Sequence, residues 1–189
     1  MLKFENILEG CLKNDNKSKE MMYKSFYGYL MGVVLRYVKE RNDAEELVND
    51  SFIKIFKNIK LFVGPQDDTQ LQKAFKGWIA KISSRTAIDF LRGKRTFLYV
   101  DEIVEEQHPL TQVNAITQLN VNDILKLLDA LPETHSLIFN MYEIEGFSHD
   151  EIAKTLNIPV SSSRVYLTRA KNKLRELSTD TINKSYAAN

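Results

Sequence analysis

The chain has 189 residues, 43% of them hydrophobic and 27% charged, which is enough apolar material for one or two small cores. Lys and Arg number 26 against 25 Asp and Glu, so the formal charge is only +1 and any affinity for a polyanion must come from where charge is placed. Cys11 is the single cysteine, which excludes an internal disulfide framework and a cysteine-rich metal site and fits a reducing cytoplasm.

The start, Met1-Leu2-Lys3-Phe4-Glu5, lacks the apolar run of a secretion signal. The stretch Tyr29 to Leu35 is too short to span a bilayer and contains Gly32. A soluble cytoplasmic protein with no direct membrane insertion is expected. Three-and-four spacing of apolar residues dominates, which predicts an all-α chain. Phe4, Ile7, Leu8, Cys11 and Leu12 share one face of a first helix, broken at Asn14-Asp15-Asn16. A second helix is expected from Lys19 to Val38, burying Phe26, Tyr29, Leu30, Val33 and Tyr37. Asp43 with Glu46 reads as a capping box opening a third helix, with Ala44, Leu47, Val48, Ser51, Phe52, Ile55 and Phe56 inward.

Gly64-Pro65-Gln66-Asp67-Asp68 reads as a loop, expected over Val63 to Gln72. A fourth helix follows, with Phe75, Trp78, Ile79, Ile82, Ile88 and Leu91 as its stripe. From Phe97 to about Thr111 the composition turns acidic (Asp101, Glu102, Glu105, Glu106) and suggests a linker. Leu119 to Leu131 is amphipathic, Pro132 sits where a new helix would begin, and Ser136 to Ile144 reads as a short helix stopped by Gly146. Ser148 with Glu151 is a second capping box, opening a helix through Leu156. Asn157-Ile158-Pro159 turns the chain into a last helix, from Val160 to Leu177, with a frayed tail after it. The domains expected are 1–96 and 118–178, with a flexible linker at 97–117 and a polar tail at 179–189.

A capped helix of about nine residues, a short turn and a second, basic helix between Gly146 and Arg175 form a helix-turn-helix pattern. Ile152, Ala153, Leu156, Ile158, Leu167, Ala170 and Leu174 supply its inner side. The other face of its second helix carries Ser161, Ser162, Ser163, Arg164, Tyr166, Arg169, Lys171 and Lys173, with no acid before Glu176. Local basic charge neutralises phosphates, and short hydroxyls near the helix start reach base edges. A solvated helix in an ordinary bundle is the competing reading, and the cap, turn and small Ala153 weigh against it.

The fourth helix combines Lys73, Lys76, Lys81, Arg85, Arg92, Lys94 and Arg95 with Phe75, Trp78 and Phe90, opposed only by Asp89. Such a surface suits an unstacked strand. Trp78 fits the core stripe equally well and is assigned mainly to structure. The segment Asp43 to Phe52 is acidic, but no histidine stands at ligand spacing, so no metal and no cofactor are expected. Alone, that segment reads as a solvated face.

In this order, the three signals resemble the extracytoplasmic-function (ECF) class of bacterial sigma factors, from roughly Tyr23 to Leu177. Asp43 to Phe56 resembles the helix that docks on the polymerase β′ coiled coil, which implies an interface role for Asp43, Glu46, Asn49 and Asp50. Phe75 to Ile79 and Thr86 to Arg92 resemble the helix engaging the minus-ten promoter element. Leu131 to Arg175 resembles the domain that reads the minus-thirty-five element. Arg85 stands where members commonly carry Asn, and Ser163 where an aliphatic residue is common. The Val63–Gln72 loop is longer than usual and corresponds to the loop that captures a flipped base. The resemblance implies core RNA polymerase (β′ and β subunits), promoter DNA and an anti-sigma protein as partners, and no enzymatic activity. The alternatives are a helix-turn-helix regulator of the response-regulator output type and a helical adaptor without a DNA role. No Gly-rich phosphate loop or nucleophile–base pattern favours an enzyme.

Overall fold

The computed structural model describes residues 3–94, 128 and 130–187, and all regular structure among them is helical. The chain divides into two compact units, Met1–Phe97 and Leu98–Asn189. The expected linker, and most of the amphipathic stretch from Leu119 to Leu131, lie outside the described residues. No described helix is long and apolar enough to cross a membrane.

The first unit contains α1 (Phe4–Leu12), α2 (Asn16–Val34), α3 (Arg41–Asn58), a 3-10 turn (Ile59–Leu61) and α4 (Asp68–Lys94). Asn14 takes the left-handed conformation (φ 65°), a cost that Asn bears better than most residues, and reverses the chain between α1 and α2. Asp15 then caps α2 by accepting the backbone N–H of Ser18 at 2.8 Å. The core joins Phe4, Leu8, Cys11, Met22, Phe26, Leu30, Val33, Val48, Phe52, Ile55, Phe75 and Ile79 into one cluster. Aromatic rings dominate it: Phe75 lies 5.1 Å from Phe4, 5.5 Å from Phe26 and 5.1 Å from Phe62. Burial raises the Cys11 thiol to a pKa of about 11, so it behaves as an apolar group beside Met22.

Several expected boundaries move. Helix α2 ends at Val34 and not Val38, and Tyr29 lies on its exposed side. Glu40, not Asp43, is the N-cap of α3: the N–H of Ala44 already bonds to Glu40 O at 3.0 Å. The Asp43–Glu46 capping box is therefore not the start of α3. Asp43 instead occupies the first turn, where a carboxylate complements the helix dipole. The loop is 62–67, shorter than the expected Val63–Gln72. Asp67 accepts the N–H of Gln70 at 2.9 Å, and Leu71 is buried, so residues 68–72 belong to α4.

The second unit has α5 (Glu133–Phe139), a π turn (Asn140–Ile144), α6 (His149–Leu156) and α7 (Val160–Ala187). Pro132 is the N-cap of α5, at the helix start read from the sequence, so the helix begins ahead of Ser136, and its last turn widens so that Glu145 N–H bonds to Asn140 O at 3.0 Å. Gly146 (φ 69°) makes the following bend, a conformation that glycine takes without strain. The Ser148–Glu151 capping box forms in both directions. Asn157 (φ 55°) closes α6 in the left-handed conformation, and Ile158 N–H returns to Ala153 O at 3.0 Å. Ile152, Ala153, Leu156, Ile158, Leu167, Ala170 and Leu174 are all buried, as the helix-turn-helix reading requires. Backbone helix continues through Ala187, past the expected end at Leu177.

Candidate functional site

Helices α3 and α4 pack against each other and turn opposite chemistries outward. On α3 the inward positions are Ala44, Leu47, Val48, Ser51, Phe52 and Ile55. The residues between them, Glu46, Asn49, Asp50 and Ile53, are exposed at spacings of three and four and form one stripe. Asp43 is half-buried at its upper end. Tyr23 O–H donates to Asn49 Oδ1 at 2.9 Å, and the Tyr23 ring rests 4.6 Å from Phe52. The Asn49 amide is thereby held in a set orientation, and burial pushes the Tyr23 hydroxyl pKa up, keeping it a donor. Ile53 is 66% exposed in the midst of polar neighbours. Sequence reasoning missed it, although its position three beyond Asp50 is out of phase with the core stripe. An exposed apolar side chain beside polar ones suits a docking patch, where apolar and polar contacts combine.

On α4, Lys73, Lys76, Arg85 and Arg92 are exposed and Lys81 is half-buried. Lys76 Nζ sits over the Tyr29 ring at 5.7 Å, and Tyr29 O–H donates to Lys76 O at 3.4 Å. This gives α4 an exposed aromatic neighbour that sequence reasoning had placed in the core. Lys54 Nζ on α3 donates to Thr86 Oγ1 at 3.0 Å and ties the two helices together. Trp78 is half-buried against Phe62 and Phe75, consistent with its structural assignment. Asp89 lies 4.0 Å from Arg92. Lys94 ends the helix, and Arg95 lies outside the described residues.

The second unit revises the expected duplex-facing set. Ser161 and Arg164 are exposed at the start of α7, Arg169 is half-buried and Lys173 exposed. Ser162, Ser163 and Tyr166 are 1%, 0% and 7% exposed, so they face the unit's interior and not a ligand. Ser163 Oγ lies 2.9 Å from His149 Nδ1, and the Tyr166 ring lies 5.5 Å from His135. Ser163, at a position where an aliphatic residue was expected, thus joins α6 to α7 through a polar contact. His149 also stacks on Tyr142 at 4.5 Å. Burial, then the nearby Arg164 charge, lowers the His149 pKa. The basic face is also less bare than its sequence: Lys171 pairs with Glu143 at 2.6 Å and Lys173 with Glu176 at 3.2 Å. Among the described residues, no cluster of His, Cys, Asp and Glu is arranged to hold a metal.

Comparisons with known proteins agree with this order of parts. The profile for Sigma-70 region 2 matches residues 22–97, and that for Sigma-70 region 4 matches residues 122–174. The RNA polymerase sigma-H factor of Pseudomonas aeruginosa is 22% identical, with 88% of this chain and 89% of that protein covered. The ECF RNA polymerase sigma-E factor of Haemophilus influenzae is 25% identical, covering 90% and 95%. A solved sigma factor RpoE from Bartonella quintana, in complex with the anti-sigma factor NepR, aligns at a TM-score of 0.49 and 18% identity over 84% of this chain and 94% of that one. The chain belongs to the sigma-70 family of RNA polymerase sigma factors, in its ECF group. As an alternative sigma factor it binds core RNA polymerase and directs promoter recognition and transcription initiation, and it is not an output domain of a response regulator.

Proposed function

We propose that the three helix faces divide the work of initiation. The α3 stripe of Glu46, Asn49, Asp50 and Ile53, with Asp43 above it, docks on the β′ coiled coil. Lys76, Lys81, Arg85 and Arg92 of α4, continued by Lys94 and Arg95, hold the backbone of the unstacked minus-ten strand. The 62–67 loop takes one flipped base, whose unstacking costs a few kcal/mol that these contacts offset. In the second unit, Ser161, Arg164, Arg169 and Lys173 meet the minus-thirty-five duplex, while Ser162, Ser163 and Tyr166 support them from inside.

The observation that carries this reading is the pairing of α3 and α4: an acidic, partly apolar stripe and a basic one are built on two helices that share a single core. Docking on polymerase therefore positions the strand-binding face without a further rearrangement. Polymerase also presents both units to one promoter, which makes the second DNA contact effectively intramolecular. The parts act by binding and positioning alone, with no bond made or broken by the sigma factor, and they do so in the cytoplasm. An anti-sigma partner that covers the α3 stripe blocks docking.

Affinity for purified core polymerase tests the assignment. Asp50→Lys is expected to weaken core binding tenfold or more, and Ile53→Ala to weaken it less. Arg164→Ala is expected to leave it unchanged. Equal affinity for wild type and Asp50→Lys contradicts the assignment of α3.

A further inference from the structure

Helix α1 precedes the stretch matched by the region 2 profile, which begins at residue 22, yet it is built into the core of that unit. Phe4 is buried, 5.8 Å from Phe26 and 5.1 Å from Phe75. The same Phe75 ring takes the edge of Phe62 at 5.1 Å, and Phe62 also meets Trp78 at 5.4 Å. Phe62 is the first residue of the 62–67 loop. At the loop's other end, Asp68 Oδ1 accepts the backbone N–H of Glu5 at 2.9 Å. Glu5 lies in the first turn of α1, whose N–H groups have no partner within the helix. Helix α1 also packs on the Ile59–Leu61 turn that leads into the loop, and on α4, which leads out of it.

The loop between these ends is itself folded back. A Cβ at Gly64 would come within 2.5 Å of Leu71 Cδ1 and 2.9 Å of Phe62 Cζ, so its backbone runs close over both side chains. Val63, next to it, is 90% exposed. We propose that α1 is a positioning brace for the 62–67 loop. It holds the entry through the Phe4–Phe75–Phe62 rings and the exit through the Glu5–Asp68 bond. It thereby sets where exposed Val63 and its neighbours meet the single strand. Asp68 acts through the loop and does not itself touch DNA. The functional arm of this inference rests on the strand-capture reading of the loop, whereas the mechanical arm does not.

Trp78, the single tryptophan, packs on Phe62 and reports on the loop's anchored end. The test compares wild type, Asp68→Ala and Asp68→Asn in the full chain, since Asn keeps an acceptor oxygen. Asp67, which caps α4, is left in place. Two quantities are measured: acrylamide quenching of Trp78, and the base preference of reconstituted holoenzyme initiating on a promoter pool randomised across the minus-ten element. Asp68→Ala is expected to raise quenching about twofold. It should also flatten the preference at one minus-ten base by about threefold to tenfold, the span of one hydrogen bond's net contribution. Core affinity and the minus-thirty-five preference should stay unchanged, and Asp68→Asn should restore both readouts. The brace is refuted if Asp68→Ala leaves quenching and preference unaltered, or if Asp68→Asn is as defective as Asp68→Ala. If wild-type holoenzyme initiates with no preference at any minus-ten base, the strand-capture reading fails separately, and Trp78 quenching alone decides the brace.

Discussion

In the first unit, four helices close around touching rings of Phe4, Phe26, Phe62, Phe75 and Trp78, whereas the second unit buries mostly Leu, Ile and Met and relies on turn chemistry to fold short helices back on one another. On the proposed division of work, the contrast follows from what each must present. The first unit supports two outward faces of opposite charge, on α3 and α4, and large rings joining α1, α2 and α4, with Tyr23 of α2 against Phe52 of α3, keep those faces fixed relative to each other. The second presents chiefly the N-terminal part of one long helix. There the angle between α6 and α7 matters most, and the Ser148 box, left-handed Asn157 and small Ala153 set it.

If this contrast holds, damage should stay within the unit it strikes. Phe75→Ala removes a fully buried ring that touches four others and should cost the first unit about 3–5 kcal/mol. Calorimetry should show one transition lowered while the second unit's transition holds. A uniform loss in both units would break the comparison. Ser148→Ala removes one half of the reciprocal cap and should cost the second unit about 1 kcal/mol, with no change in the first. Exchange of the α6 amides by NMR would register it.

A smaller effect is expected from pH. Burial first, and then Arg164, depress the His149 pKa below its ordinary value near 6.5. The unfolded chain therefore binds this proton more readily than the folded one. The stability linked to neutral His149 is present above the unfolded pKa and is lost as pH falls from there through the folded value. Chemical denaturation of the second unit should become easier below about pH 6.5. His149→Gln should flatten that dependence, and an undiminished slope in the variant would assign it elsewhere. The smallest change is expected at the exposed Arg41–Glu45 pair (3.0 Å), where Glu45→Gln should shift the first unit by less than about 0.5 kcal/mol and vanish at high salt.

Local chemistry was the most legible part of the sequence. The Ser148–Glu151 box and the Asn157 turn need only four or five consecutive residues, and both form as read. The Asp43–Glu46 pattern is equally good locally, but burial of Ala44 and the Glu40–Ala44 hydrogen bond start the helix three residues earlier. The inward side of α7 proved wider than its aliphatic stripe. Ser162, Ser163 and Tyr166 look polar in isolation but are buried, and His149 and His135, from other segments, are the interior partners of Ser163 and Tyr166. Tyr29 and Ile53 fail in the reverse sense: apolar residues turned outward, the first leaning on Lys76 and the second at the end of a polar stripe. The family resemblance, not periodicity, is what gave the α3 face its meaning.

The claim that the acidic face of α3 and the basic face of α7 serve separate steps is tested most directly by transcription with reconstituted holoenzyme on promoters with and without the upstream element. Asp50→Lys should lower initiation on both promoters alike, and excess sigma factor should restore it. Arg164→Ala should lower initiation only where the upstream element is present, and excess sigma factor should restore little. Identical defects in the two variants would contradict the division of labour between α3 and α7.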